Sequence, residues 1–148
     1  KLKAKGVTYD AAKSRALGPG GKVYNGTFMG EKATFMVFFN AKSRIVFGVS
    51  VELSYSSVEL ARVPFTNIAE QLLKKYPKAV YGANKDSNGD TNGLTFSIPN
   101  EADTEKIGVI IQTLNNSQSP LKDDCTIGLM YTDVENFKKS EALNNEDL

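Results

Sequence analysis

Histidine and tryptophan are both missing from this 148-residue chain, and cysteine occurs only once. Without histidine there is no Ser-His-Asp or Cys-His nucleophile, no histidine general base and no histidine-ligated zinc, copper or iron. Any chemistry would fall to carboxylates, Lys, Tyr or the single thiol. Cys125 cannot close an intrachain disulfide, and its setting, DCTIGLMY, reads as an apolar strand in which a buried thiol is inert. Long apolar runs are lacking as well. MVFF and RIVFGVSV are strand-length and fall far short of the roughly 20 residues of a membrane-crossing helix, so the chain is expected not to span a membrane. Nor is there an excess of one charge. With 18 basic and 17 acidic residues, read as spread along the chain, no basic stripe is set out for phosphate-backbone binding, and nucleic acid is not an expected partner.

What is present suffices for one domain over residues 1–148. A chain of this length buries roughly 68 to 70 % of its unfolded surface, so folding is expected to need no metal, cofactor or disulfide. KLKAKG at Lys1 to Gly6 reads as the last turn of a helix closed by a glycine. Residue 1 is lysine, not methionine, and a removed leader is the expectation. Thr8 to Gly21 is small and polar and reads as a loop. Three strands follow, near Lys22–Met29, Lys32–Phe39 and Arg44–Leu53, with a turn at Gly30-Glu31. In the second strand Ala33, Phe35, Val37 and Phe39 alternate with Thr34, Met36 and Phe38; in the third, Ile45, Phe47, Val49, Val51 and Leu53 share one side. That period of two predicts a sheet with a strongly apolar face.

Ser56 and Glu59 fit a capping box that opens a helix, which Pro64 kinks or restarts. Phe65, Ile68, Leu72, Leu73 and Tyr76 then form one stripe, and the helix stops before Pro77. Further strands are expected near Leu94–Ile98, Lys106–Leu114 and Asp124–Tyr131. A short helix follows, capped by Asp133, before a polar tail at 140–148. The sum is an α+β protein in the order α-β-β-β-α-β-β-β. Its antiparallel sheet has about six strands, with two main helices on one face. LKAKG and LLKKY preceding the two triplets point to repeat units at 1–54 and 55–132.

Few stretches invite a chemical reading. KDSNGDTNG alternates oxygen-bearing side chains at Asp86, Asn88, Asp90 and Asn92, as a calcium loop does. A loop starting at Asp86 has Thr91 where glycine is needed, and one starting at Asn88 ends on Pro99 instead of a glutamate. A polar connection built on the turn dipeptides Asn88-Gly89 and Asn92-Gly93 is therefore the leading reading, with a weak calcium site on Asp86, Asn88 and Asp90 as the alternative. GPGGK at Gly18 to Lys22 lacks the spacing of a phosphate loop. Glu101, Asp103 and Glu105, and the pair Asp123 and Asp124, sit in polar turn sequence without the apolar pocket that raises a catalytic carboxyl's pKa. The second strand alone stands out, because Met36 and Phe38 make it apolar on both sides. Helices can cover one side, and the other needs a different cover.

KLKAKGVTY, YNGTFMGEKATFMVFF, RIVFGVSVEL, IAEQLLKKY and IGLMYTDVENF together resemble a group of small secreted or periplasmic proteins of gut bacteria. The G-x-F-x-G element is met by Gly26, Phe28 and Gly30, and the closing strand by Tyr131, Asp133 and Asn136. Pro77 stands where that group has glycine after Lys75-Tyr76, and Val58 stands near the place of its usual tryptophan. The group is similar in organisation to β-lactamase-inhibitor-like and PepSY-like proteins. The resemblance implies a non-catalytic, exported module that presents a sheet face to another protein of the cell envelope, and it carries over no catalytic residue. Tyr24, Met36 and Phe38 are the expected contacts. The rival readings are a small-ligand carrier or carboxylate-based hydrolase, and a structural part of a larger envelope protein.

Overall fold

The computed structural model describes residues 6–85, 91–99, 105–115 and 125–145; the helix end read into Lys1 to Lys5 lies outside them. The elements run β1 (Thr8–Asp10), α1 (Ala11–Leu17), β2 (Gly21–Phe28), β3 (Glu31–Phe39), β4 (Val46–Tyr55), α2 (Val58–Lys75), β5 (Val80–Lys85), β6 (Thr91–Pro99), β7 (Glu105–Asn115), β8 (Cys125–Asp133) and α3 (Val134–Asn145). The class is α+β, as expected. All eight strands join one antiparallel sheet in the order β1-β2-β3-β4-β8-β7-β6-β5. The sheet is thus two four-stranded meanders that meet where β4 pairs with β8, each followed by a helix. That pattern replaces a helix followed by three strands. The two strands beyond the expected six are β1, too short to show any alternation, and β5, where Gly82 and Ala83 blur it.

Thr8 to Gly21, expected as a loop, holds β1 and α1. Asp10 caps the helix by accepting from the Lys13 amide at 3.0 Å, and its second oxygen accepts from Asn25 Nδ2 at 3.0 Å. Ser14 is buried and its hydroxyl accepts from the Val23 amide at 2.8 Å, so α1 continues with a side chain the pairing that β1 makes with the backbone. Gly18, with φ 90°, closes the helix in a conformation that disfavours any other residue. The first of these bonds, followed by the one from Asn25, holds the Asp10 carboxyl below its usual range. A depressed folded-state pKa stabilises the fold above the unfolded value and is lost as pH falls through the folded one. Amide protection across α1 is therefore expected to decline below about pH 4 before the core opens, and Asp10→Asn to remove that dependence. Hydrogen exchange of Lys13 against pH measures both.

The β2–β3 turn uses Met29 and Gly30, both at positive φ, one residue earlier than the sequence suggested, with Phe28 opposite Glu31. Strand β4 bulges opposite Phe39, then pairs Val51 with Leu129 and Leu53 with Ile127 across the seam. These four residues, with Ala33, are buried beneath Ala61, Ile68 and Leu72 of α2. The α2 N-cap is Ser57, accepting from the Leu60 amide at 3.3 Å, and not Ser56; Glu59 instead lies 3.9 Å from Arg62. The helix runs through Pro64 as a single 18-residue element. Around Pro64 the side chains of Leu60 and Val63 are 60 % and 68 % exposed, so water can reach the carbonyl that proline leaves without a donor.

Asp133 caps α3 as expected, accepting from the Asn136 amide at 3.0 Å. The helix docks through Phe137, edge-on to Phe47 with centroids 5.4 Å apart, and through Ser140, whose carbonyl and hydroxyl each accept from Asn40 Nδ2 at 3.2 Å. Ser140 is buried, so the tail expected to begin there starts inside the helix. Phe47 lies on the same side of β4 as Val49 and Val51, which places α3 on the side that α2 covers. No described helix is long and apolar enough to cross a membrane.

Candidate binding face

With α2 and α3 on one side, the opposite side of the central strands is left without a helix among the described residues. Register shows what it carries. Met36 pairs with Ser50 and Ser50 with Met130, while Phe38 pairs with Gly48 and Gly48 with Thr132. A Cβ added to Gly48 would lie 3.5 Å from the Phe38 ring and 3.6 Å from the Met130 methyl, so these two large side chains flank one small position. The result is a shallow trough along β4, floored by Gly48 and Ser50 and walled by Met36, Phe38 and Met130, all three half-buried. Polar residues border it at one end, where Thr34 pairs with Glu52 and Ser54 with Thr126, while beyond Met130 the apolar row continues to its partner Ile110 on β7. Among the described residues no atom lies within 4 Å of where a side chain at Gly128 would start. An apolar centre that meets polar residues at its edge is the anatomy of a protein contact surface.

The face has one border. A Cβ at Gly21 would lie 2.3 Å from Leu17 Cδ2, and Gly21 pairs with Phe38, so α1 rises on the trough side at the start of β2. Val23, paired with Met36, is buried between them.

Of the three expected contacts, Met36 and Phe38 stand together here and Tyr24 does not. Tyr24 pairs with Phe35, which belongs to the helix side, and its ring lies 5.5 Å from that of Tyr9. The reason is the period of two: Val23 and not Tyr24 is opposite Met36, so adjacency in sequence misassigned the side. Met130 was missed altogether. Its place beside Phe38 depends on the β4–β8 register, which joins residues about 80 apart, and no local pattern announces that pairing.

The other candidates gain no geometry. Asp86, Asn88 and Asp90 lie outside the described residues, as do Glu101, Asp103, Asp123 and Asp124. Asn92 and Gly93, expected in a turn, belong to β6, with Gly93 opposite Asn84. Cys125 opens β8, and its side chain is outside the description. Among the described residues no three acidic, cysteine or histidine groups converge as metal ligands would. Tyr131 has its pKa raised, first by burial and then by Tyr76, but it packs against the helix-side core and away from the trough. No family model, curated protein or solved structure matches the chain.

Proposed function

We propose that the protein is a non-catalytic binding module, exported to the periplasm or the cell exterior, that contacts another protein through the side of its sheet that α2 and α3 leave uncovered. The observation that carries the reading is the trough: three large apolar side chains from two strands flank Gly48 and Ser50, on the side that neither α2 nor α3 covers. The flexible thioethers of Met36 and Met130 suit a surface that moulds to a partner, and Phe38 supplies the aromatic anchor of such contacts. Export is supported by the likeness of the G-x-F-x-G and closing-strand elements to exported proteins.

The test is a comparison of immobilised wild-type protein and Phe38→Asp in capture from a cell-envelope extract. A charge in the contact centre is expected to weaken binding by at least tenfold, because 2 kcal/mol or more rests on an anchor residue. Phe38→Asp is expected to keep a cooperative melt, since the residue is only half-buried. Equal capture by both forms would sink the proposal, and loss of cooperative melting would make Phe38 part of the core.

A further inference from the structure

The side of the sheet that carries α2 and α3 is not filled from end to end. Phe47 lies against Phe137 of α3, while Val51, Leu53, Ile127 and Leu129 are buried beneath α2. Phe47 and Val51 are four residues apart on β4, about 13 Å at the rise of a strand, whereas helices in contact sit about 8–10 Å apart. No packed interface joins the two helices, and a narrow slot is left between them.

Register gives the floor of this slot. Lys22 pairs with Val37, Val37 with Val49, Val49 with Tyr131 and Tyr131 with Val109, a single row from β2 to β7. Val37, Val49 and Tyr131 are half-buried, whereas Val51 and Leu129, two residues along from Val49 and Tyr131, are buried. At β8 the row reaches Tyr131, where Tyr76 at the end of α2 stands near. At β2 it ends in charge. The Lys22 ammonium lies 6.0 Å from the centroid of the Phe39 ring, and the Arg44 guanidinium 5.3 Å from the same centroid. Both side chains are exposed, and among the described residues neither is paired with a carboxylate. Arg44 also holds φ 60°, where glycine or asparagine is at less cost, so an arginine there is tied to what its side chain does.

We propose that this slot binds a fatty acid, its alkyl chain laid along Val37, Val49 and Tyr131 and its carboxylate held by Lys22 and Arg44. The site lies on the opposite side of the sheet from the trough and does not depend on it. Length and charge together name the occupant. From β2 to β8 is three interstrand spacings, about 14 Å, and an extended chain advances about 1.2 Å per bond, so the row suits about twelve bonds. A neutral apolar molecule would leave two cations without a counter-charge, and a polyanion would find an apolar floor behind them. A single alkyl chain with one anionic end uses both.

Calorimetric titration of the full chain with decanoate, hexanoate and decanol, each below its aggregation concentration, tests this in wild type and in the double variant Lys22→Gln with Arg44→Gln. Glutamine keeps the stems over Phe39 and removes the charges. Decanoate is expected to bind at least tenfold more tightly than hexanoate, which lacks four methylenes. The double variant should weaken decanoate at least fivefold and leave decanol unchanged, in a protein that still melts cooperatively. Methyl NMR places the ligand. The Val37 and Val49 methyls should shift with decanoate, the Met36 and Met130 methyls should not, and Phe38→Asp should bind it as wild type does. No binding of decanoate at millimolar concentration would overturn the proposal, as would equal binding by the double variant. Shifts at Met36 and Met130 in place of Val37 and Val49 would move the ligand to the trough and overturn the slot, leaving the charge pair without its assigned role.

Discussion

Leu129→Ala is expected to lower stability by about 3 kcal/mol, within the usual 2 to 5 for a buried leucine, and the melting temperature by roughly 10 °C. Leu129 has no exposed surface, pairs with Val51 across the seam and packs in the cluster with Ile68 and Leu72 of α2. Its side chain thus touches both meanders and the helix, and a cavity there cannot close by shifting one element. Leu60→Ala is the control. That side chain is 60 % exposed on α2 and should change stability by at most about 0.5 kcal/mol. Thermal and denaturant melts of the two variants decide it. Equal losses would mean that α2 does not seat on the β4–β8 seam as described.

The second large effect is expected at Asn40, between β3 and β4. Its Oδ1 accepts from the Lys42 and Ser43 amides, both at 2.9 Å, and its Nδ2 donates to the Ser140 carbonyl and hydroxyl. Its own carbonyl accepts from the Arg44 amide at 2.9 Å, and Arg44 follows in the left-handed region at φ 60°. One buried side chain therefore builds the hairpin turn and anchors α3, 100 residues further on. Asn40→Ala removes both sets and is expected to cost about 3 kcal/mol, more than its few atoms would suggest, because the groups left behind lose partners in a place with little water. Asn40→Asp separates the two roles. The carboxylate can still accept from the turn amides but would face the Ser140 carbonyl without a donor, so hydrogen exchange should accelerate in α3 while the β3–β4 hairpin keeps its protection. Uniform acceleration would show that the turn and the helix are not tied through this residue.

How much of this could be seen in the sequence differs from element to element. The alternation in β3 and β4 was legible because each strand separates an apolar file from a mixed one, and it put Met36 and Phe38 on the side away from Phe35. The apolar stripe of α2 was legible for the same reason, at the helical period. Thr8 to Gly21 was not, because α1 has only seven residues and is held by an aspartate cap and a serine buried against β2, signals that look the same as loop chemistry when no partner is in view. Asn40 carries no local sign of its role, since two of its side-chain bonds reach Ser140. The trough was half legible: one wall lay in β3, while Met130 and the floor at Gly48 and Ser50 acquired meaning only with register.

The seam also sets the order in which the chain can fold. Every other strand pair in the sheet joins sequence neighbours and is able to close locally, whereas β4 must wait for β8. Synthesis proceeds from the amino end, so β1 to β4 and α2 emerge long before the strand that buries Val51 and Leu53 exists. The loop to be closed, from Tyr55 to Cys125, spans about 70 residues, and its entropy must be met before the core returns anything. Until residue 133 has been made, the apolar side of the first meander has only α2 to cover it. Closure of that seam is therefore expected to limit the rate of folding, which should respond more to substitutions at Val51, Leu53, Ile127 and Leu129 than to changes in any hairpin turn.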